Sequence, residues 1–150
     1  MGLRLKRIAL FTVALLVLAQ FFPVQRVNPA TDPAKTVFTA DVPANVRQVL
    51  EGSCLDCHSN QTSWPWYSQV APLSWVIAHD VNHGRHALNF SEWATYPPQK
   101  KELKLGEICD QVSNGDMPDT KYVLLHRKAA LSKEQRDALC QWADSAARNR

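Results

Sequence analysis

The stretch Cys54-Leu55-Asp56-Cys57-His58 sets the reading of the whole chain. Two cysteines separated by two residues and followed directly by histidine form the attachment signal for c-type haem. The order has a chemical reason. Each thiol can add across a vinyl group of the macrocycle and become a thioether, while the adjacent imidazole reaches under the ring and offers a nitrogen to the iron. The pattern has rivals. A thioredoxin-like C-x-x-C pair places its leading cysteine at a helix start within a βαβ unit, where the thiol pKa falls, but no alternating strand pattern flanks this pair. A zinc knuckle calls for two further ligands at similar spacing, whereas Cys109 and Cys140 stand singly. A purely structural cysteine pair is the third alternative.

Towards the N-terminus, Arg4, Lys6 and Arg7 precede an apolar run from Ile8 to Phe22 that is interrupted by Gln20. A basic segment followed by an apolar core is the pattern of a secretory signal. The run is shorter than the roughly 20 residues of a full span, and no small-x-small cleavage site directly follows it. Residues 1–24 are therefore expected to be a signal peptide or a membrane anchor, with the basic end in the cytoplasm. The rest of the chain is expected in the periplasm or on the extracytoplasmic side of the inner membrane, where covalent haem attachment in bacteria takes place. Residues 25–42, bracketed by prolines and without an apolar period, read as a linker. Residues 43–150 read as one haem-binding domain, a length that suits a single core.

The charge balance narrows the partners. The chain carries a net charge of +3, but Arg4, Lys6, Arg7 and Arg26 belong to its first thirty residues, which hold no acid; the remainder carries 13 basic and 14 acidic side chains. The basicity belongs to the leader, so no nucleic acid is expected as a partner. Lys100, Lys101 and Lys104, with Arg127 and Lys128, read as solvated helix faces, with a weak docking patch for a redox partner as the alternative. In an oxidising compartment Cys109 and Cys140 can form a disulfide, with two buried free thiols as the alternative.

The pattern along the domain is helical throughout. Pro43 opens a helix that presents Val46, Val49 and Leu50 on one face and ends at Gly52. Pro72 opens a second, over about 73–83, which Gly84 weakens or ends. Ser91 is expected to cap a short turn holding Glu92 and Trp93. A third helix covers about 99–113 and stops at Asn114-Gly115. A short helix covers about 122–126. Ser132 and Gln135 form a capping box for the last helix, whose buried stripe is Leu139, Trp142, Ala143 and Ala146. No strand pattern is present, and the expected fold is all-α.

Trp64, Trp66 and Tyr67 follow the C-x-x-C-H run closely. They read either as a haem wall, since such rings are flat and can donate a hydrogen bond, or as general core. For the sixth iron position the candidate is Met117. It lies in a loop between two helices, with Pro118 behind it to stiffen the backbone. The alternative for Met117 is a gap-filling core residue. His79, His83 and His86 compete as iron ligands or as a separate metal pair, since His79 and His83 share a helical face. His126 reads as a helix-end hydrogen-bonding residue.

These residues carry a resemblance. Cys54-x-x-Cys57-His58-Ser59-Asn60-x-Thr62, Trp64-Pro65-Trp66-Tyr67, Ala71-Pro72-x-Ser74-Trp75, Asn89-Phe90-Ser91-Glu92-Trp93, Gly115-x-Met117-Pro118, and then Tyr122, His126, Leu131-Ser132 and Trp142 resemble a bacterial haem-binding domain family built around a C-x-x-C-H motif. The resemblance implies a variant of the small monohaem cytochrome c fold, usually exported, with one covalent haem c. Asp119 departs from the pattern, which often has a second proline there, and the pair Cys109 and Cys140 is an addition to it.

The expected function is electron transfer with His58 and Met117 as iron ligands and a periplasmic or membrane redox protein as partner, an electron carrier rather than an enzyme. Two other readings stand beside it. One is a haem-based peroxidase or gas sensor with an open sixth position and His83 or His126 as nominal distal groups. The other is a non-haem metal module using Cys54, Cys57, His58 and the later histidines.

Overall fold

Seven α-helices follow one another in the computed structural model, which describes residues 2–148. They are α1 Gly2–Ala19, α2 Ala44–Ser53, α3 Leu55–His58, α4 Leu73–Ala87, α5 Pro98–Asn114, α6 Thr120–Leu125 and α7 Lys133–Arg148. Short 3-10 turns cover Pro33–Lys35, Val37–Thr39, Trp66–Gln69, Phe90–Thr95 and Arg127–Ala129. The described residues contain no strand, so the fold is all-helical as expected.

Helix ends follow local chemistry where local chemistry decides. α5 stops where Gly115 adopts a left-handed conformation (φ 79°) that a side chain would disfavour. Ser132 and Gln135 make the reciprocal pair at the start of α7. The Gln135 side chain accepts from the Ser132 amide at 2.8 Å, and the Ser132 hydroxyl accepts from the Gln135 amide at 3.3 Å. Asp119, the residue that departs from the family pattern, is the N-cap of α6, its carboxylate accepting from the Lys121 amide at 2.7 Å.

Elsewhere tertiary packing overrides the local signal. α2 runs through Gly52 to Ser53 instead of ending at it. α4 runs through Gly84 to Ala87, because Gly84 is a close-approach position and not a terminator. A Cβ built there would lie 2.6 Å from the Cys57 carbonyl oxygen. Glycine is what lets α4 lie against α3. Ser91 does not cap the turn it sits in. That role belongs to Asn89, whose side chain accepts from the Ser91 amide at 2.9 Å. The Ser91 hydroxyl is buried and instead accepts from the Asn60 amide at 2.9 Å.

The core lies between α2, α5 and α7 with the Phe90–Thr95 turn, and Leu50, Leu105, Leu139 and Trp93 are fully buried in it. Each such side chain contributes about 1.5 to 3 kcal/mol of transfer free energy. Cys109 on α5 and Cys140 on α7 are joined in a disulfide, so the two helices of this core are also covalently tied.

The segment read as a linker is packed onto the domain. Val37 is fully buried and Phe38 and Val42 pack against the core. Behind them, Arg85 binds the chain at several points, donating to the Val27 carbonyl (2.7 Å) and the Asn28 side chain (2.9 Å). These contacts come from scattered residues, which is why no sequence period announced them. The chain just after α1 is held too. Gln20 exchanges two hydrogen bonds with the Ala71 backbone (3.1 and 3.0 Å), and Trp75 donates to the Phe22 carbonyl (2.8 Å). α1 itself buries none of its residues. No helix among the described residues is long and apolar enough to cross a membrane, so the reading of residues 1–24 as a spanning anchor finds no support. Arg4, Lys6 and Arg7 lie inside α1 and shorten its apolar part.

Candidate functional site

Cys54 closes α2 and opens α3, and its carbonyl accepts from the amides of Cys57 (3.2 Å) and His58 (2.9 Å). This single helical turn sets Cys54 and Cys57 three residues apart on one face. Both are free thiols and both are half-buried. Burial, and then the neighbouring Cys57, push the Cys54 thiol up to about 12. Cys57 is pushed up to about 11, by burial first and then by the carboxylates of Asp56, Asp80 and Asp119, with Arg85 opposing. At neutral pH these are thiols. A thiolate poised for disulfide exchange needs the opposite environment.

His58 is oriented with equal definition. Its Nδ1 lies 3.0 Å from the Gly84 carbonyl and 3.1 Å from the Leu88 carbonyl. Both partners can only accept, so Nδ1 carries the proton and Nε2 keeps its lone pair. Burial, outweighing these two hydrogen bonds, lowers the His58 pKa and favours the neutral imidazole that a metal requires. The close approach at Gly84 therefore does two things: it seats α3 on α4 and supplies one of the carbonyls that orient His58. A donor set of two protonated thiols on one turn and one neutral imidazole with a defined free nitrogen fits a haem attached through Cys54 and Cys57.

The remaining sequence candidates are placed unequally. Met117 lies in the loop between α5 and α6, its amide held by the Gln111 carbonyl at 3.1 Å, and its side chain is 38% exposed, which corrects the reading as core filler. Trp66 is 76% exposed and meets Tyr67 edge-on at 5.8 Å, so it is no core residue either. Trp64 is half-buried and donates to Asn28 at 3.1 Å. Tyr67 is half-buried, and its hydroxyl lies 2.9 Å from His126 Nε2. His79, His83 and His86 are all exposed on α4. The His79 and His83 rings are parallel at 6.2 Å, and His79 Nδ1 lies 3.3 Å from Asp80. Among the described residues no three of His, Cys, Asp and Glu gather as a metal site, so the non-haem metal module gains nothing.

Sequence reading missed two groups that frame the site. Arg85 donates to the Ser59 carbonyl and the Thr62 hydroxyl, both at 2.7 Å, clamping the turn that follows His58. Asp56, inside the motif, accepts from the Tyr122 hydroxyl at 2.7 Å and the Ser63 amide at 2.9 Å. No local signal marks the Arg85 clamp or the Tyr122–Asp56 contact, since each joins residues far apart in the chain.

A family model described as a haem-binding domain matches residues 14–145. No curated protein and no solved structure matches the chain.

Proposed function

The chain belongs to the haem-binding domain family, and from that premise we propose that it holds one haem c covalently through Cys54 and Cys57 and serves as an electron carrier in the periplasm. The observation that supports this reading is the orientation of His58, whose Nδ1 is committed to the Gly84 and Leu88 carbonyls so that Nε2 keeps a lone pair with which it could bind iron. When bound, the haem supplies a one-electron ferric–ferrous couple. The protein residues hold and tune it. Cys54 and Cys57 are the attachment thiols, kept protonated by their surroundings until they react. His58 would supply one iron ligand through Nε2. Met117 would supply the other, presented by a loop that Gly115 turns and Pro118 stiffens. A thioether paired with an imidazole would raise the reduction potential, which suits a carrier.

α1, with its basic start and apolar body, is the export signal that delivers the domain to the compartment where attachment occurs. The partner is a periplasmic or membrane redox protein. An open-site peroxidase would need a free distal base. His126 does not supply one, because both its nitrogens are hydrogen-bonded.

The test is to produce the protein with haem-maturation machinery and record its spectra and potential. The expected product is low-spin, with a reversible one-electron couple. Met117→Ala should lose the methionine-to-iron charge-transfer band and show a lowered potential. A wild-type protein that is high-spin and binds small ligands at the iron would overturn electron transfer in favour of ligand handling.

A further inference from the structure

We propose that Tyr122, His126 and Tyr67 form a polar latch that positions the Met117 loop against the Cys54–His58 turn. The role given to Met117 rests on the reading above, and the latch is tested separately from it. The starting point is what does not hold α6 in place. This helix buries none of its residues, and Leu124 and Leu125 are 72% and 58% exposed. Only Tyr122 and Val123 are half-buried, so apolar burial alone fastens it weakly.

Two side-chain contacts, one helical turn apart, leave this segment: one reaches Asp56 inside the C-x-x-C-H run, the other Tyr67 in the Trp66–Gln69 turn that follows it. At the first, the Tyr122 hydroxyl donates to Asp56 Oδ2 at 2.7 Å. Asp56 is itself fixed: its other carboxylate oxygen accepts from the Ser63 amide and its carbonyl from the Thr62 hydroxyl. At the second, His126 Nδ1 faces the Tyr122 carbonyl at 3.1 Å and must donate to it. Nε2 is then an acceptor, and the Tyr67 hydroxyl donates to it at 2.9 Å. The His126 ring also stacks on Tyr122 at 4.2 Å. Burial and the Asp56 contact raise the Tyr122 pKa, and burial raises that of Tyr67, so both phenols stay donors.

Met117 sits between this latch and α5, whose end is set by Gly115 and whose body is bound to α7 through Cys109. A loop this short, fixed at both ends, has few conformations. Release of the α6 end frees it. Tyr122 and His126 are thus positioning residues that act through the loop.

The experiment compares the haem-loaded full chain with Tyr122→Phe and Tyr67→Phe, each of which removes one oxygen and keeps the ring. Hydrogen exchange is read at the Val123 and His126 amides, which bond to the Asp119 and Tyr122 carbonyls. A hydrogen bond to a charged group corresponds to roughly tenfold to a hundredfold in such an equilibrium. Exchange there should accelerate by about that factor in Tyr122→Phe and less in Tyr67→Phe, with the Arg136 amide at the start of α7, which bonds to the Ser132 carbonyl, unchanged. The potential of Tyr122→Phe should move towards that of Met117→Ala. Unchanged exchange in both variants overturns the latch. Faster exchange with an unaltered potential and spectrum overturns its positioning role. If Met117→Ala itself leaves the spectrum unaltered, methionine ligation fails and exchange alone decides the latch.

Discussion

Replacing Gly84 with alanine tests the packing that orients His58. In an unobstructed helix interior, glycine to alanine stabilises by about 1 kcal/mol. At Gly84 the new Cβ would meet Cys57 at 2.6 Å from its carbonyl oxygen, 3.1 Å from its carbonyl carbon and 3.2 Å from its Cβ. Two of these atoms are backbone, so α3 and α4 must separate. Overpacking of this kind costs about 1 to 3 kcal/mol. Gly106, inside α5, and Gly52, in α2, provide the comparison, since a Cβ at either meets nothing within 4 Å. All three substitutions share the propensity gain, so the difference between Gly84→Ala and Gly106→Ala isolates the contact. It should be about 1 to 3 kcal/mol in favour of Gly106→Ala, or several degrees in Tm for a chain of this size. Thermal unfolding of the three variants, followed by circular dichroism, provides the measurement. Gly84→Ala should also lower the yield of attached haem, because the displaced carbonyl is one of the two that hold His58 Nδ1. A Gly84→Ala protein as stable as Gly106→Ala would refute the close approach and the seating of His58 built on it.

Three further outcomes are expected. Serine at both Cys109 and Cys140, which lie 31 residues apart, should cost about 3 to 4 kcal/mol in urea unfolding by loop entropy; a loss under 1 kcal/mol would mean the α5–α7 core holds without it. Tyr122 has a folded pKa above its ordinary 10.0, so its contribution is fully present below pH 10 and is lost as pH rises towards the raised value. An alkaline absorbance titration should accordingly lose its latest phenol step in Tyr122→Phe, and an unchanged curve would contradict the Asp56 contact. Arg85→Lys cannot span Ser59, Thr62, Val27 and Asn28 with a compact ammonium. Limited proteolysis around residues 24–32 should therefore quicken, and identical cleavage rates would show that the segment is held by other contacts.

What the sequence made legible was short-range. The Gly115 stop, the Ser132 and Gln135 box and the C-x-x-C-H run each depend on neighbours within a turn or two, so their signals sit together in the chain. The features that were misread depend on distant partners. Gly84 resembles a helix end until Cys57 is brought against it. Ser91 resembles a cap until Asn60 takes its hydroxyl. Val37 sits in a proline-bracketed stretch with no period, yet it is fully buried in the core. The site divides the same way. Cys54, Cys57 and His58 could be proposed from spacing, whereas the carbonyls that fix the His58 tautomer and the tyrosines that tie Asp56 and His126 are products of the fold. Among the aromatics, Trp66 is the instructive case: proximity to the motif in sequence did not bury it.

The central claim is covalent attachment, and mass measurement under denaturing conditions tests it most directly. The protein produced with haem-maturation machinery should carry the mass of one haem that stays with the chain through unfolding and maps to a peptide holding Cys54 and Cys57. Serine at both cysteines should abolish the added mass. Haem that separates from the wild-type chain on denaturation, or a chain that carries none, would contradict the claim.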